Sequence, residues 1–363
     1  MIEKNKDVPE WISEIGDSVI EWLKTVNLPD HPGYYRYSKE GALLNSSRFS
    51  GLGFSCLALR TYHIINKLDQ IDKEDFESWV QYIKSFQRKR KWGRKYGFFE
   101  DKTLLKTLDK KAGWLKRNMA VRRAETRQAC GTLLSVGEKP YYPIVGDLPQ
   151  TPEQLEDYIR SLPWDNPWHS GSHTAHLIFF LKLNSIHFGY QDQFESLIPV
   201  ILKCLDRLQD KKTGTWYTGS PSSQNIINGA MKVLTGYILL EKELKYPEQL
   251  IDTGLNAMNE EDACHNLDLI HVFHSCLNYT SYRQSEIRTV AEKRLDIIRG
   301  FMNDDGAFSF HPGKAGTHYY GVEVSRGFAE SDVHGTNLFV WTIAMLAEII
   351  GFNDSLNWKL PVI

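Results

Sequence analysis

The chain contains 363 residues, with 43 basic and 45 acidic side chains and a formal net charge of −2. This length suffices for one large domain or two ordinary ones, and the balanced charge gives no overall field that attracts nucleic acid or an anionic membrane. The five cysteines are odd in number and widely spaced, which indicates reduced thiols rather than a disulfide framework. The first residues are charged throughout and no run of about 18 apolar residues occurs, so we expect a cytoplasmic protein without membrane insertion.

Helical periodicity dominates the chain. Apolar residues recur at spacings of three and four over residues 53–68, 79–87, 177–183, 194–208, 229–244 and 336–350. No segment alternates apolar and polar residues for long enough to predict a sheet. The longest irregular stretches, 137–152 and 310–327, mix aromatic residues with glycine and proline, unlike a flexible linker. The sequence therefore predicts one all-α domain over residues 1–363.

A degenerate repeat marks three of the predicted helix ends. In each, a Gln or Met ends a helix, a turn containing glycine follows, and a large aromatic residue comes next. Glycine supplies the positive φ that stops a helix, and the Gln side chain is expected to hydrogen-bond the exposed helix ends of a neighbouring hairpin. The three sets are Gln87, Gly97 and Phe99; Gln209, Gly214 and Trp216; and Met302, Gly306 and Phe308.

These segments resemble the Gln–Gly–Trp/Phe repeats of the terpenoid cyclase and protein prenyltransferase superfamily. The resemblance spans roughly residues 79–308, and it departs from the pattern where Met302 replaces Gln and where a basic insertion interrupts the first repeat. It implies an α/α toroid, in which hairpins of inner and outer helices surround a central cavity. The reaction does not follow from it, because proteins that share a fold need not share a function.

Two polar segments on predicted helices are candidates for binding substrate. Arg123 and Arg127 are four residues apart and share a helix face, a pairing that suits a carboxylate, sulfate or diphosphate; Glu125 lies beside them and is included in this predicted site. Asn228 and Lys232 likewise share a face and predict hydrogen bonds to substrate. The structural alternatives are a solvated face with an Arg–Glu pair and a hydrogen bond between repeats.

The densest cluster of polar and aromatic residues comes between these two segments. Trp164 and Trp168 are predicted to stack on substrate, and Asp165, His169 and His173 to serve as acid–base groups. His169 and His173 are four residues apart on one helix face, but their spacing alone is not a metal motif. The alternative is a capped helix start rich in polar residues.

A third candidate site is implied by the same resemblance. Asp262, Cys264 and His334 resemble the Asp-x-Cys pair and the later His that hold zinc in protein prenyltransferase β subunits. Carboxylate, thiolate and imidazole leave a fourth position open for catalysis. In that family the Asp-x-Cys pair directly follows a repeat turn, whereas here it does not. Apart from this zinc, no cofactor is expected.

The same region also has a metal-free interpretation. Asp268 with His271, and Asp332 with His334, are spaced to orient imidazoles for acid–base catalysis near neutral pH. The structural alternative is that Asp332 caps the helix that follows and that the histidines are buried.

We expect an enzyme that acts on a small-molecule or oligosaccharide substrate, most consistently a carbohydrate-active hydrolase, lyase or epimerase. A hydrolase needs two carboxyl groups, whereas a lyase or epimerase needs a His or Tyr base and an Arg that holds a uronate. Two alternatives remain open: an isoprenoid-handling enzyme and a non-enzymatic helical-repeat binding protein. The absence of an Asp-rich cyclase motif from the sequence argues against the isoprenoid-handling enzyme. The hydrolase candidates are Glu125, Asp165, Asp262, Asp268 and Asp332.

Overall fold

In the computed structural model, which describes residues 7–28, 31–43, 51–111, 116–146, 148–257 and 261–362, two sets of helices alternate along the chain. The first set, called the inner helices, consists of α2 (Leu52–Ile64), α5 (Lys116–Ser135), α7 (Pro167–Phe188), α9 (Ser223–Leu239), α11 (Ala263–Leu277) and α13 (Val333–Ile350). The second set, called the outer helices, consists of α1 (Glu10–Val26), α3 (Lys73–Ser85), α6 (Pro152–Ser161), α8 (Gln191–Leu208), α10 (Pro247–Asn256) and α12 (Gln284–Arg299).

The remaining elements are short. They are a 3₁₀ turn (Leu68–Gln70), α4 (Lys102–Lys111), α14 (Asn353–Leu356) and two antiparallel hairpins of two-residue strands. The first hairpin pairs β1 (Arg90–Lys91) with β2 (Arg94–Lys95), and the second pairs β3 (His318–Tyr319) with β4 (Val322–Glu323).

The inner helices form a closed ring, because each packs on the next in chain order and α13 packs back on α2. Their sequences explain the position: in α13 every residue except His334 and Glu348 is buried. Outer helices bury only one stripe, which in α12 consists of Ile287, Ala291, Arg294, Leu295 and Ile298. A ring of buried helices inside a layer of amphipathic ones is an α/α toroid, so the predicted fold is confirmed. By length and composition α13 is apolar enough to cross a membrane, but 89% of it is buried in the ring.

The three predicted repeats occupy equivalent places. In each, a residue one to three positions after the end of the outer helix forms a backbone bridge to the aromatic residue of the turn, and each aromatic ring is almost fully buried. The bridges join Gln87 to Phe99, Gln209 to Trp216, and Met302 to Phe308. A fourth turn follows α1, where Asn27 bridges to the buried Tyr35.

The predicted role of the Gln side chains needs correction. The amide nitrogen of Gln209 donates to the carbonyl of Gly214 at 2.8 Å, and that of Gln87 donates to the carbonyl of Gly97 at 2.7 Å. Each Gln therefore braces its own turn, and Gln87 also bonds the connection after α5, where it donates to the carbonyl of Tyr142 at 2.7 Å and accepts from the backbone of Tyr141 at 2.8 Å. Neither Gln bonds the helix ends of a neighbouring hairpin in the described chain. Gly97 also has a φ of +88°, and an added Cβ would lie 1.9 Å from the carbonyl oxygen of Pro143. Only glycine fits there.

The repeat turns define one end of the ring, here called the turn end. Each inner helix follows an outer helix along the chain, so the inner helices begin at this end. Both hairpins belong to its connections: β1–β2 is inserted in the repeat turn between Gln87 and Phe99, and β3–β4 lies between Phe308 and α13. The β3–β4 connection contacts the ring, because the hydroxyl of Tyr319 donates to Glu125 of α5.

Candidate active site

Arginine side chains from two inner helices supply positive charge to the ring interior. Arg60 of α2 is buried, donates through Nε to Oδ1 of Asn337 at 3.0 Å, and lies 5.5 Å from the ring centroid of Trp341. Asn337 is itself fixed, since its amide nitrogen donates to the carbonyl of Leu57 at 3.1 Å. These neutral partners orient the guanidinium of Arg60 without neutralising it.

Arg127 of α5 carries the second charge. Its guanidinium lies 5.5 Å from the ring centroid of Phe179, and burial together with the nearby charge of Arg60 lowers the pKa of Arg127 to about 10. Among the residues that the structure describes, no carboxylate forms an ion pair with Arg60 or Arg127. An unpaired cation inside a protein is costly, so a bound anion would stabilise these two guanidinium groups.

A lysine and an aspartate stand opposite each other on α9 and α11. The Lys232 ammonium lies 3.5 Å from Oδ1 of Asp268, whose side chain is fully buried. Burial raises the pKa of Asp268, and the charge of Lys232 opposes that shift. The Asn228 amide completes the group, since its nitrogen lies 3.3 Å from Oδ2 of Asp268 once the amide is oriented to face acceptors. The structure thus brings together Asn228, Lys232 and Asp268, which come from two separate predicted segments.

Three interior imidazoles are held neutral. Burial and the charge of Arg127 lower the pKa of His176 well below its usual value, and its buried Nδ1 has no hydrogen-bond partner among the described residues. Burial with the charge of Arg60 lowers the pKa of His334 to about 3, and burial with His274 lowers that of His271 to about 3. The buried Nδ1 of His334 also lacks a partner in the described chain.

The predicted Asp–His pairs do not form. Nδ1 of His271 lies 3.2 Å from the hydroxyl of Ser275 rather than on Asp268, which faces Lys232. The His334 ring stacks on Phe310, with centroids 5.0 Å apart, instead of bonding Asp332. Both histidines therefore lie beside the interior without a carboxylate to orient them.

A tyrosine–carboxylate contact joins the β3–β4 hairpin to α5. The hydroxyl of Tyr319 donates to Oε1 of Glu125 at 2.8 Å, while the buried Oε2 has no partner among the described residues. Burial raises the pKa of Glu125 to about 8, although the Tyr319 hydrogen bond opposes the shift. Gly53 permits this approach, because an added Cβ there would lie 2.4 Å from the Tyr319 hydroxyl. Glu125 is therefore largely protonated at neutral pH.

The tip of the same hairpin presents Tyr320 to the interior arginines. Burial and the charge of Glu125 raise the pKa of Tyr320, while Arg60 and Arg127 lie near enough to oppose the shift. Tyr320 has a φ of +49° and is followed by Gly321 with a φ of +79°. Holding a residue other than glycine in this backbone conformation costs about 1–3 kcal/mol of strain, and strained residues are concentrated at functional sites.

Arg123 and His173, both predicted site residues, contact each other in a group next to the interior. Arg123 Nη1 donates to the hydroxyl of Tyr158 and lies 3.3 Å from Nδ1 of His173, which is 2.8 Å from the Tyr158 hydroxyl. Burial and the neighbouring His169 lower the pKa of His173 to about 3. The two predicted arginines thus differ: Arg123 is engaged by protein groups, whereas Arg127 faces the interior.

The start of α7 holds the rest of the second predicted segment. Asp165, Trp168 and His169 are exposed there, and Asn166 caps the helix by accepting from the backbone of His169. Trp164 is buried and donates from its indole nitrogen to the carbonyl of Ile159 at 3.0 Å. The Trp164 ring is therefore enclosed by protein in this structure, and its stacking on substrate stays a prediction.

Two predicted carboxylates cap helices. Asp332 caps α13 through Gly335 and also accepts from the backbone of Phe310 at 2.7 Å and Gly316 at 3.0 Å. Asp262 caps α11 by accepting from the backbone of His265 at 2.9 Å. The structural alternative for Asp332 is confirmed, and its oxygens are occupied by backbone groups rather than by an imidazole.

The predicted zinc ligands do not assemble. Over the described ranges, no three His, Cys, Asp or Glu side chains converge in a way that could hold a metal ion, and Asp262, Cys264 and His334 are no exception. The physical reason is local: Asp262 turns back to cap its own helix.

Three interior residues escaped the sequence analysis: Arg60, Tyr319 and Tyr320. Arg60 was detectable as the one arginine within the predicted helix of residues 53–68, whereas His176 is the third histidine of the predicted cluster that contains His169 and His173. Tyr320 precedes a glycine, a pattern that predicts a tight turn but not the direction of its ring.

No family model matches the chain, and no curated protein matches it. Among solved structures, it is similar to a polysaccharide lyase at 12% identity, with 93% of this chain and 96% of that chain covered and a TM-score of 0.46. It is also similar to an α-1,6-mannanase of Salegentibacter sp. HEL1_6 solved with α-1,6-mannotriose, at 13% identity, 95% and 100% coverage and a TM-score of 0.47. A family 76 glycoside hydrolase from a bovine Bacteroides thetaiotaomicron strain shows 9% identity, 93% and 77% coverage and a TM-score of 0.48. At this identity, no site residue is carried over from those proteins.

Proposed function

We propose that the protein is an enzyme that acts on a carbohydrate bearing a carboxylate, as a lyase or an epimerase. One observation carries this proposal: Arg60 and Arg127 place two cations inside the ring, and no carboxylate of the described chain pairs with either. A substrate carboxylate supplies the missing charge, and arginine accepts its two oxygens side by side.

The same charges favour removal of a proton from the carbon next to that carboxylate. Arginine cations stabilise the negative charge that develops on the carboxylate oxygens as the C–H bond breaks. The neutral His176, whose Nδ1 has no partner, is the proposed base. A bound carboxylate next to His176 raises the pKa of the imidazole towards the range useful at neutral pH.

The Tyr320 hydroxyl is the proposed acid. Its raised pKa keeps the hydroxyl protonated, and it shares Arg127 as a neighbour with His176. In a lyase, His176 takes the proton, a double bond forms to the adjacent carbon, and the C–O bond to the leaving sugar breaks as Tyr320 donates its proton. In an epimerase, a proton returns to the same carbon from the opposite face.

Hydrolysis by two carboxyl groups has less support. Asp262 and Asp332 cap helices, Asp165 is exposed at the start of α7, and Asp268 is paired with Lys232. Glu125, with its pKa raised to about 8, has the protonation of a general acid, but its Oε1 accepts from the Tyr319 hydroxyl. An isoprenoid diphosphate is the second ligand class, because Arg60 and Arg127 also suit a diphosphate and lie against Trp341 and Phe179.

Binding calorimetry tests the proposal directly. We expect trigalacturonate to bind more tightly than neutral galactotriose, and Arg127→Met to weaken trigalacturonate at least about tenfold. Arg299→Met, on the exposed face of α12, is the matched control and leaves binding unchanged. Equal binding of the charged and neutral trisaccharides sinks the proposal, and tight binding of geranyl diphosphate alone replaces it with the isoprenoid alternative.

A further inference from the structure

The β1–β2 hairpin exposes a tryptophan at its tip. Trp92 is 85% exposed, has a φ of +49° and is followed by Gly93 with a φ of +77°. Two-residue hairpin turns of this kind favour Asn or Gly at the first position, so Trp92 brings both backbone strain and an exposed apolar ring. Its one described aromatic contact is with the Lys91 ammonium, 5.1 Å from the ring centroid.

The hairpin is strongly basic although the chain as a whole is not. Lys91 pairs with Glu100 at 3.0 Å, and Lys89 lies over the ring of Tyr142 at 5.6 Å. Within the described ranges, no carboxylate forms an ion pair with the other hairpin cations or with Lys89. The unpaired cations are Arg88, Lys89, Arg90, Arg94 and Lys95.

The position of the hairpin connects it to the ring. It is inserted in the repeat turn that precedes α5, at the turn end, and Glu100 joins it to that helix through an ion pair with Nε of Arg122 at 3.1 Å. Five residues further along α5 is Arg127, which faces the interior. The hairpin therefore lies at the turn end of the helix ring. It presents a cationic surface there, with the Trp92 side chain at its tip.

We propose that the β1–β2 hairpin is an accessory binding site for an anionic polysaccharide, in which Trp92 stacks on a sugar ring and the flanking cations contact the carboxylates of neighbouring units. This inference rests on the proposed function, since the polymer is the one whose units the interior accepts. An aromatic face packs on the C–H surface of a sugar, and charge complementarity selects acidic polymers over neutral ones. Held there, a polymer stays close to the turn end while successive units reach the interior.

The composition of the tip favours a polysaccharide over an anionic membrane. A membrane anchor buries a continuous apolar face at the headgroup boundary, whereas Trp92 is surrounded by Lys91, Gly93 and Arg94. Another exposed aromatic ring, that of Tyr141, is covered by the Lys84 ammonium at 5.2 Å. A single ring among cations suits a sugar that carries negative charge.

Affinity electrophoresis in gels that contain polygalacturonate, alginate or hyaluronate, with dextran as the neutral polymer, measures the accessory site. We expect the wild-type protein to be retarded by at least one acidic polymer and not by dextran, with a retardation that falls as salt rises. Trp92→Ala and the double change Arg94→Glu with Lys95→Glu each weaken polymer binding by about tenfold. Ile186→Ala and Lys211→Glu with Lys212→Glu, exposed residues elsewhere, are the matched controls.

Trisaccharide binding separates this inference from the proposed function. If the hairpin is an accessory site, Trp92→Ala leaves trigalacturonate calorimetry unchanged, whereas Arg127→Met weakens trigalacturonate and retains polymer retardation. If the hairpin variants are retarded by the acidic polymers as strongly as the wild-type protein, the accessory site is overturned, even when trigalacturonate binds the interior. Vesicles that contain phosphatidylserine provide the other decisive outcome: binding to them through Trp92, without retardation by any acidic polymer, identifies a membrane contact and overturns the inference.

Discussion

The two hairpins at the turn end share a backbone and differ in direction. Trp92–Gly93 and Tyr320–Gly321 both place an aromatic residue at a φ of +49° before a glycine at +77° or +79°. In β3–β4 the flanking side chains are buried against the ring, as Tyr319 reaches Glu125 and Val322 is enclosed. In β1–β2 they are Arg and Lys, and the ring at the tip faces solvent. The same strained turn can thus hold an aromatic side chain either towards the protein or towards solvent. The residues of the flanking strands determine which of the two directions is adopted.

The largest effect is expected from removing one oxygen at the inward tip. Tyr320→Phe keeps the ring and the backbone but removes the proposed acid, so turnover of a uronide polymer falls by about 10²-fold or more. Ultraviolet absorbance of the new double bond measures a lyase, and hydrogen–deuterium exchange at the sugar carbon measures an epimerase. Trp92→Phe is the matched change in the outward hairpin and retains turnover on the trisaccharide. Full activity of Tyr320→Phe removes this residue from the mechanism.

A smaller effect follows from the carboxyl that the inward hairpin covers. Glu125 has a folded pKa of about 8 against an ordinary value of 4.5, so folding favours its protonated form. That contribution is fully present below about pH 4.5 and is lost as pH rises through about 8. Glu125→Gln removes the ionisation and is expected to stabilise the protein above pH 8 by on the order of a few kcal/mol.

Urea unfolding of wild-type and Glu125→Gln protein across pH measures this difference. The gap in unfolding free energy should widen between about pH 4.5 and 8 and stay constant above that range. Glu100→Gln, at the carboxylate that pairs with Lys91 of the outward hairpin, is the contrasting control. Burial alone would raise the pKa of Glu100, but hydrogen bonding and charge from Lys91 lower it, so loss of this carboxylate destabilises the protein at neutral pH. A gap that is independent of pH would show that Glu125 ionises normally.

A modest effect is expected at the glycine of the outward turn. Gly93→Ala meets no atom within 4 Å, but its φ of +77° is unfavourable for alanine. We expect a loss of about 1 kcal/mol in unfolding free energy, measured by urea denaturation, with no change in trigalacturonate binding. Gly97→Ala in the same connection is the contrasting change, because its Cβ would also clash with the Pro143 carbonyl and the loss should be larger.

The smallest effect has the opposite sign. Trp92→Asn places the preferred residue in the outward turn and removes an exposed aromatic ring. We therefore expect the unfolding free energy to increase by less than about 1 kcal/mol, measured as a higher midpoint of thermal unfolding. Tyr320→Asn makes the same change in the inward turn, where it also removes the ring contact with Tyr319, 4.4 Å between centroids. Stabilisation of both variants alike would mean that the inward ring contributes nothing to packing.

The fold was more predictable than the site, for a physical reason. Helix-stopping glycines and buried aromatic residues recur along the chain, so Gln209 and Trp216 identified a turn before its partners were known. A site depends on which separate segments meet. Asp268 and Lys232 were both predicted as functional, but only the packing of α9 against α11 brings their charges within 3.5 Å.

Helix capping occupies two of the predicted catalytic carboxylates. Asp262 and Asp332 have the residue type of a catalytic carboxylate and also that of a preferred helix cap, and nothing local distinguishes the two. Arg60 is the opposite case, a functional candidate that the sequence analysis missed. A single arginine in a helix indicates a functional site only when no carboxylate elsewhere in the ring pairs with it, and the sequence alone does not show which residues face it. The orientation of Tyr320 depends on contacts of its neighbours with a helix almost 200 residues away along the chain.

The closure of α13 on α2 has a consequence for how the molecule is made. During synthesis from the ribosome, the five earlier inner helices emerge as an open crescent, with the apolar sides of α2 and α11 left uncovered until α13 is complete. Arg60 acquires its Asn337 partner only in that final docking step. Assembly of the interior that contains Arg60 is thus coupled to completion of the ring, and a nascent chain that stalls before α13 leaves the apolar sides of α2 and α11 exposed.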